Sequence, residues 1–237
     1  MAGHSKWAQI KHKKAILDQK KGQLFSKLAN EITVAVRQGG PDVEGNFKLK
    51  AAIEKAKSLG MPQENIERAI KRASGIIEHE NLEEVFYEIY GPEGVAILVK
   101  AITENRNRTT SEIKGILNKF GGKLAEGGAV KWLFEEQGII RFEKNVFNEK
   151  LEEKLIDLGA KDIKIDDSVE VYFDLEDFKN FKKFLEENKE IKNEIEISWV
   201  PKEIITISDE GKEKLKKLLE ALDNQNEVED IYFNTLL

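Results

Sequence analysis

Cysteine is absent from this 237-residue chain, which excludes disulfides, thiolate metal sites and cysteine nucleophiles. Histidine is scarce: His4, His12 and His79 are the whole set, and none stands at an H-x-x-x-H or HExxH spacing, so no metal site is expected. There is no apolar run of about 18 residues, the length a membrane-spanning helix requires. No apolar stretch of about 7–15 residues follows Lys6, so no secretory signal is expected either. Neither G-x-G-x-x-G, nor G-x-x-x-x-G-K-[ST], nor G-x-S-x-G occurs, and the glycine pairs at 39–40, 121–122 and 127–128 read as turns and helix ends. These absences leave a cytoplasmic protein with no cofactor, no membrane partner, no small-molecule substrate and no catalytic motif.

What the chain does have is charge, unevenly placed. The formal net charge is -6, yet residues 1–75 hold 15 Lys and Arg against 7 Asp and Glu, and the remainder holds 23 against 37. Lysines 6, 11, 13, 14, 20, 21 and 27 stand against a single acid, Asp18, in the first 27 residues. A basic arm on an acidic body points to a polyanion, with nucleic acid the leading partner. The acidic body limits non-specific adhesion elsewhere.

The pattern of apolar residues divides the chain. Up to residue 80 it is helical, with Leu24, Leu28, Ile32, Ala35 and Val36 on one face before Gly39-Gly40-Pro41. Phe47, Leu49, Ala52, Ile53, Ala56 and Leu59 follow before Gly60, then Ile66, Ala69, Ile70 and Ala73 after Pro62. Glu64–Arg68 and Glu67–Lys71 stand at the favourable i,i+4 spacing. Residues 84–90 and 95–103 read as two strands joined at GPEG. A helix follows from about 105, with a Thr109–Glu112 capping box and an apolar face of Ile113, Ile116, Leu117 and Phe120. AVKWLF (129–134) and EIITIS (203–208) alternate like strands. Residues 138–200 run strand, helix, strand, strand, helix, strand, the ferredoxin-like order. The fold expected is α+β: a basic arm and three-helix bundle at 1–80, a discontinuous ferredoxin-like domain from 81–136 and 202–237, and a second ferredoxin-like domain, 137–201, inserted into it.

Candidate binding residues follow from chemistry. Lys6, Lys13, Lys20 and Lys27 recur every seven residues and drift only about 20° per repeat on a helix, making one basic stripe. Alternatively they belong to a solvated tail that orders on binding, with Gly22 interrupting any single helix. Lys11, Lys14 and Lys21 add phosphate-binding charge. Trp7 and His12 either stack on bases or, for Trp7, staple the arm to the bundle. Arg106 and Arg108 flank a helix start, where guanidinium groups and free N–H groups can hold an anion; in the competing reading they pair with the body's own acids. Gln63, Arg68, Lys71 and Arg72 lie on the second helix of a helix-turn-helix-like pair, an arrangement also common in plain bundles.

The opening MAGHSKWAQIKHKKAILDQKKGQLFSKLANEITVAVRQGG closely resembles the YebC/PmpR family, which includes a mitochondrial translational activator of cytochrome oxidase. MPQENIERAIKRASG (61–75), YGPEGVAILV (90–99), TENRNRT (103–109) and FGGKLAEGGAVKWLFE (120–135) extend the resemblance. It implies three domains around a central cleft, a cytoplasmic location and no enzymatic activity. It also implies a DNA-binding transcriptional regulator or, as in other members, a translation factor that associates with ribosomal RNA and relieves stalling at proline-rich sequences. The residues matching the family's N-terminal motif are His4, Ser5, Lys6, Trp7, Ile10, Lys11 and His12, with Lys13 supplying charge where the family has arginine or lysine.

Overall fold

The computed structural model describes residues 21–76, 82–188, 191 and 193–237. They fall into two compact units, one spanning Glu135–Val200 and the other made of the chain on either side of it.

The described part of the larger unit opens with three helices: α1 (Lys21–Gly39), α2 (Phe47–Ser58) and α3 (Gln63–Lys71), the last continuing into one wider turn at Arg72–Ile76. Leu28, Ile32, Leu49, Ile53, Met61 and Ile66 meet in its apolar centre. Asn46 joins the first two helices with one side chain. Its Nδ2 donates to the carbonyls of Ala35 (2.8 Å) and Gly40 (2.9 Å), and its Oδ1 accepts from Leu49 N at 3.0 Å, so it caps α1 behind and α2 ahead. The expected ion pairs along α3 do not form among the described residues, and Glu67 instead accepts from Gln63 Nε2 at 3.2 Å.

The same unit contains β1 (Glu83–Tyr90), β2 (Ala96–Thr103), α4 (Arg106–Phe120), β3 (Lys123–Leu124), and, after the other unit, α7 (Asp209–Asp223) and β8 (Val228–Phe233). Its sheet has the order β3-β1-β2-β8, antiparallel at each pair. Ile113 and Leu117 of α4 and Leu215, Leu218, Leu219 and Leu222 of α7 pack on Val85, Ile89, Ile97, Val99 and Ile231. Three local expectations are corrected. AVKWLF is not a strand: residues 131–133 form a turn of 3-10 helix, and strand pairing resumes only at Phe134. EIITIS is reduced to a single parallel bridge, Ile205 to Thr235. The α4 start is capped by Asn105, whose side chain accepts from Arg108 N, and Thr109 lies inside the helix.

The smaller unit runs β4 (Phe134–Glu143), α5 (Glu149–Asp157), β5 (Ala160–Ile165), β6 (Ser168–Phe173), α6 (Phe178–Glu187) and β7 (Asn193–Pro201), with sheet order β5-β6-β4-β7. That is the strand order of the ferredoxin-like arrangement. Phe173 stacks on Phe181 at 4.1 Å between centroids, and β4 passes close enough that a Cβ on Gly138 would stand 2.2 Å from the Phe173 ring. A fragment limited to 134–201 contains this whole sheet and both helices, so it is expected to unfold cooperatively in urea when expressed alone. A non-cooperative, featureless melt would show that it depends on the rest of the chain.

Candidate nucleic-acid interface

His4, Lys6, Trp7, Lys11, His12, Lys13, Lys14 and Lys20 lie outside the described residues, and Lys21 enters only as the first residue of α1. The two remaining sets of candidates have definite places. Lys27, expected among the phosphate ligands, is turned inward. Its ammonium donates to the carbonyls of Asp223 (3.3 Å), Gln225 (3.2 Å) and Val228 (2.5 Å), at the carboxyl end of α7 and the turn into β8. A helix C-terminus presents unsatisfied carbonyls and partial negative charge, which a lysine offsets well. All three N–H donors are thereby engaged, and Lys27 ties the bundle to the sheet domain.

Arg106 and Arg108 do not converge on an open anion site. Arg108 pairs with Glu227, a carboxylate that also accepts from Thr109 Oγ1 (2.5 Å), Thr103 Oγ1 (3.1 Å) and Gln225 Nε2 (3.3 Å). Burial pushes the Glu227 carboxyl upward, and these donors together more than reverse it, leaving its pKa below the ordinary range. The anion at the α4 N-terminus is therefore the protein's own. Arg106 is exposed, and its backbone carbonyl accepts from the Thr110 hydroxyl at 2.6 Å. On α3 and the turn that follows it, Gln63, Arg68, Lys71 and Arg72 are exposed, but so are Glu64 and Glu67.

Two constellations escaped the sequence. The first is a half-buried set of charges where α1 and α2 meet the outer face of β2 and β8. Lys55 lies 3.0 Å from Glu31 and 3.2 Å from Asp230, and Lys100 lies 3.5 Å from Glu31 and from Glu84. Burial alone would lower the pKa of both lysines, and the surrounding carboxylates raise it further than burial lowers it. Glu229, 4% exposed beside them, is pushed up to about 7 by burial first and by Glu31 next, with Lys27 and Lys55 pulling the other way. The second is the loop between β3 and β4. Glu88 on β1 accepts from the backbone N–H groups of Gly128 (2.6 Å), Val130 (2.6 Å) and Lys131 (2.7 Å). The Gly127-Gly128 pair was the available signal for the second, since the tight turn needs Gly128 at φ +87°. Side chains from five elements, α1, α2, β1, β2 and β8, build the first, and no local pattern announces it.

No group of His, Asp and Glu suited to a metal occurs among the described residues, and no described helix is long and apolar enough to cross a membrane.

Comparison with known proteins agrees with this organisation. Residues 5–76 match the model for the TACO1/YebC protein N-terminal domain, and residues 82–235 match that for the TACO1/YebC second and third domain. A relative from Persephonella marina is 48% identical over 238 residues, covering 99% of this chain and 95% of its own, and is named "probable transcriptional regulatory protein". A relative of the same name from Pseudothermotoga lettingae is 46% identical, covering 99% of this chain and 93% of its own. The crystal structure of a conserved hypothetical protein from Aquifex aeolicus superposes with a TM-score of 0.84 at 45% identity, over 97% of this chain and 96% of that one. With both models matched and these relatives aligned along nearly their whole length, the chain belongs to the TACO1/YebC family.

Proposed function

We propose that this protein is a nucleic-acid-binding regulator of gene expression, acting first as a DNA-binding transcriptional regulator and working from the cytoplasm. The observation that carries this reading is the concentration of seven lysines against one acid in residues 1–27 of a chain whose net charge is -6. Elsewhere Lys55, Lys100, Arg108, Arg141 and Lys161 stand against the protein's own carboxylates, which makes the arm the natural source of phosphate contacts. With Lys27 engaged by backbone carbonyls and Arg108 by Glu227, the nucleic-acid-binding set narrows to His4, Lys6, Trp7, Lys11, His12, Lys13, Lys14, Lys20 and Lys21, with Arg106 as an outlying contact. The relatives' name, "probable transcriptional regulatory protein", supports DNA as the target.

One observation favours a second reading, a ribosome-associated translation factor that binds ribosomal RNA. A helix that reads the major groove offers donors to base edges, and α3 presents Glu64 and Glu67 beside Arg68 and Lys71. A lysine-rich arm carrying an aromatic suits phosphate and shape recognition on structured RNA.

Deleting residues 1–21 removes six lysines. The slope of log K against log salt, measured with duplex DNA and with a structured RNA, is expected to flatten by several units, since each phosphate contact contributes about 0.7–0.9. An unchanged slope would remove the arm from the interface. Crosslinking in cells, followed by sequencing of the bound DNA and RNA, separates the two readings.

A further inference from the structure

The loop of residues 125–133 is held from beneath and left open above. Beneath it, the Glu88 carboxylate takes three consecutive-turn amides, and the Glu88 carbonyl accepts from Ala125 N at 2.8 Å. Burial pushes the Glu88 carboxyl up, and the three amides outweigh burial, so it is held below the ordinary carboxylate range. Val130 is fully buried and pins the loop's middle in the core. Above, Trp132 is 63% exposed, the largest exposure of any big apolar side chain among the described residues, and Tyr90 beside it is 39% exposed. Neither ring is loose. Trp132 Nε1 donates to the Ala129 carbonyl at 3.1 Å, and the Tyr90 hydroxyl donates to that same carbonyl at 3.2 Å.

Two aromatic side chains thus have their polar tips satisfied at one oxygen while their ring surfaces face water. Nothing in folding rewards that exposure, and the anchoring beneath it removes the freedom that would otherwise be lost on binding. The charge nearby is mixed. Lys123 is exposed and stands opposite Tyr90 in the β1–β3 register, whereas Glu126 is exposed on the loop itself. With an acid that close, the surface is a poor cradle for phosphate alone, and what it offers is ring surface with a cation at one side. Nucleobases present such a flat partner only when unpaired, because pairing and stacking in a duplex hide their faces.

We propose that Trp132, with Tyr90 at its side, is a stacking platform for an unpaired nucleobase of single-stranded RNA or DNA, with Lys123 facing the adjacent phosphate. This rests on the nucleic-acid reading above, and it adds a second contact remote in sequence from the lysine arm.

The test uses the full chain carrying 5-fluorotryptophan, with the Trp132 resonance assigned by its loss in Trp132→Phe. Oligouridine and oligothymidine of roughly 12 nucleotides, and a duplex of the same length, are titrated separately; the first two distinguish RNA from DNA as the source of the base. Single strands are expected to shift the Trp132 resonance and the duplex to leave it in place. Trp132→Ala is expected to weaken single-strand binding by about tenfold to hundredfold, with Trp132→Phe retaining most of the affinity and neither variant changing the melting temperature. Single strands that bind without moving that resonance, and equally well to Trp132→Ala, would overturn the platform while leaving the arm's role intact. That result would assign the aromatic surface to a protein partner instead. Failure of every oligonucleotide to bind the unmodified chain would bring down the nucleic-acid reading, and the platform with it.

Discussion

Arg141→Met is expected to destabilise the Glu135–Val200 unit by about 3–5 kcal/mol, the usual cost of removing one partner from a buried ion pair. Arg141 on β4 stands opposite Glu170 on β6, donating from Nε to Glu170 and from a terminal nitrogen to Glu196, each at 2.8 Å. The Arg141 and Glu170 side chains are only 12% and 4% exposed. Glu170 also accepts from the Tyr172 hydroxyl at 2.6 Å, and burial followed by that bond pushes the Tyr172 pKa well up. Methionine fills much of the volume but takes away the guanidinium that donates to the Glu170 carboxylate in a site with little water. Urea denaturation of the full chain, followed through the partly buried Trp199 on β7, would report the loss as a lower midpoint with an unchanged m-value. Adding Glu170→Gln removes the stranded charge and should recover part of the loss. A single variant that loses less than about 1 kcal/mol would mean the pair is solvated in solution and contributes as a surface pair does.

At pH 8 the opposite sign is expected from Glu229→Gln, which should stabilise the larger unit. Glu229 lies on β8 facing Lys27 and Glu31 from α1, Lys55 from α2, and Asp230 next to it in sequence. An unfolded glutamate titrates near ~4.3, and the folded one at about 7. The native state therefore binds more protons than the unfolded chain between those values. Its contribution to stability is complete below pH ~4.3, declines as pH rises through the window, and is gone above about 7. A tenfold difference in proton affinity is worth roughly 1.4 kcal/mol, so the charged form costs at most about 4 kcal/mol. Glutamine keeps the shape and removes the proton equilibrium. Stability measured from pH 4.5 to 8 should fall across the window in the parent and run flatter in the variant. A variant less stable than the parent at pH 8 would show that Lys27 and Lys55 depend on a charged Glu229.

Both predictions rest on charges that the sequence does not locate, and the same physics accounts for what was legible. The bundle could be read because Leu28, Ile32, Leu49, Ile53 and Ile66 recur at helical spacing and the stops are glycines with positive φ at Gly40 and Gly60. The Glu135–Val200 sheet could be read because its apolar runs alternate and are separated by short helices. What failed was local pattern overruled from a distance. Thr109 looked like a cap, but its hydroxyl goes to Glu227, and Asn105 takes the capping position. AVKWLF alternates like a strand, but Glu88 takes the amides of Val130 and Lys131 that a ladder would have needed. EIITIS ends at Ser208, which must cap α7 and whose own N–H goes to Glu93 at 2.9 Å. Of the candidate binding residues, Lys27 and Arg108 were taken by backbone carbonyls and a carboxylate more than a hundred positions away.

The placement of β8 beside β2 also orders events in time. Ala96 N donates to Asn234 Oδ1 across 138 positions, and Lys55 reaches Asp230 across 175. A chain emerging from its N-terminus presents β1 and β2 early, yet β2 keeps an open edge until almost all of the rest has been made. The Glu135–Val200 unit has all of its residues made during that wait, and the helical bundle has no acid at position 230 to dock against until β8 emerges. Nascent molecules therefore carry an exposed β2 edge until Val228–Phe233 has been made, and a stop codon just before Val228 would leave it so permanently.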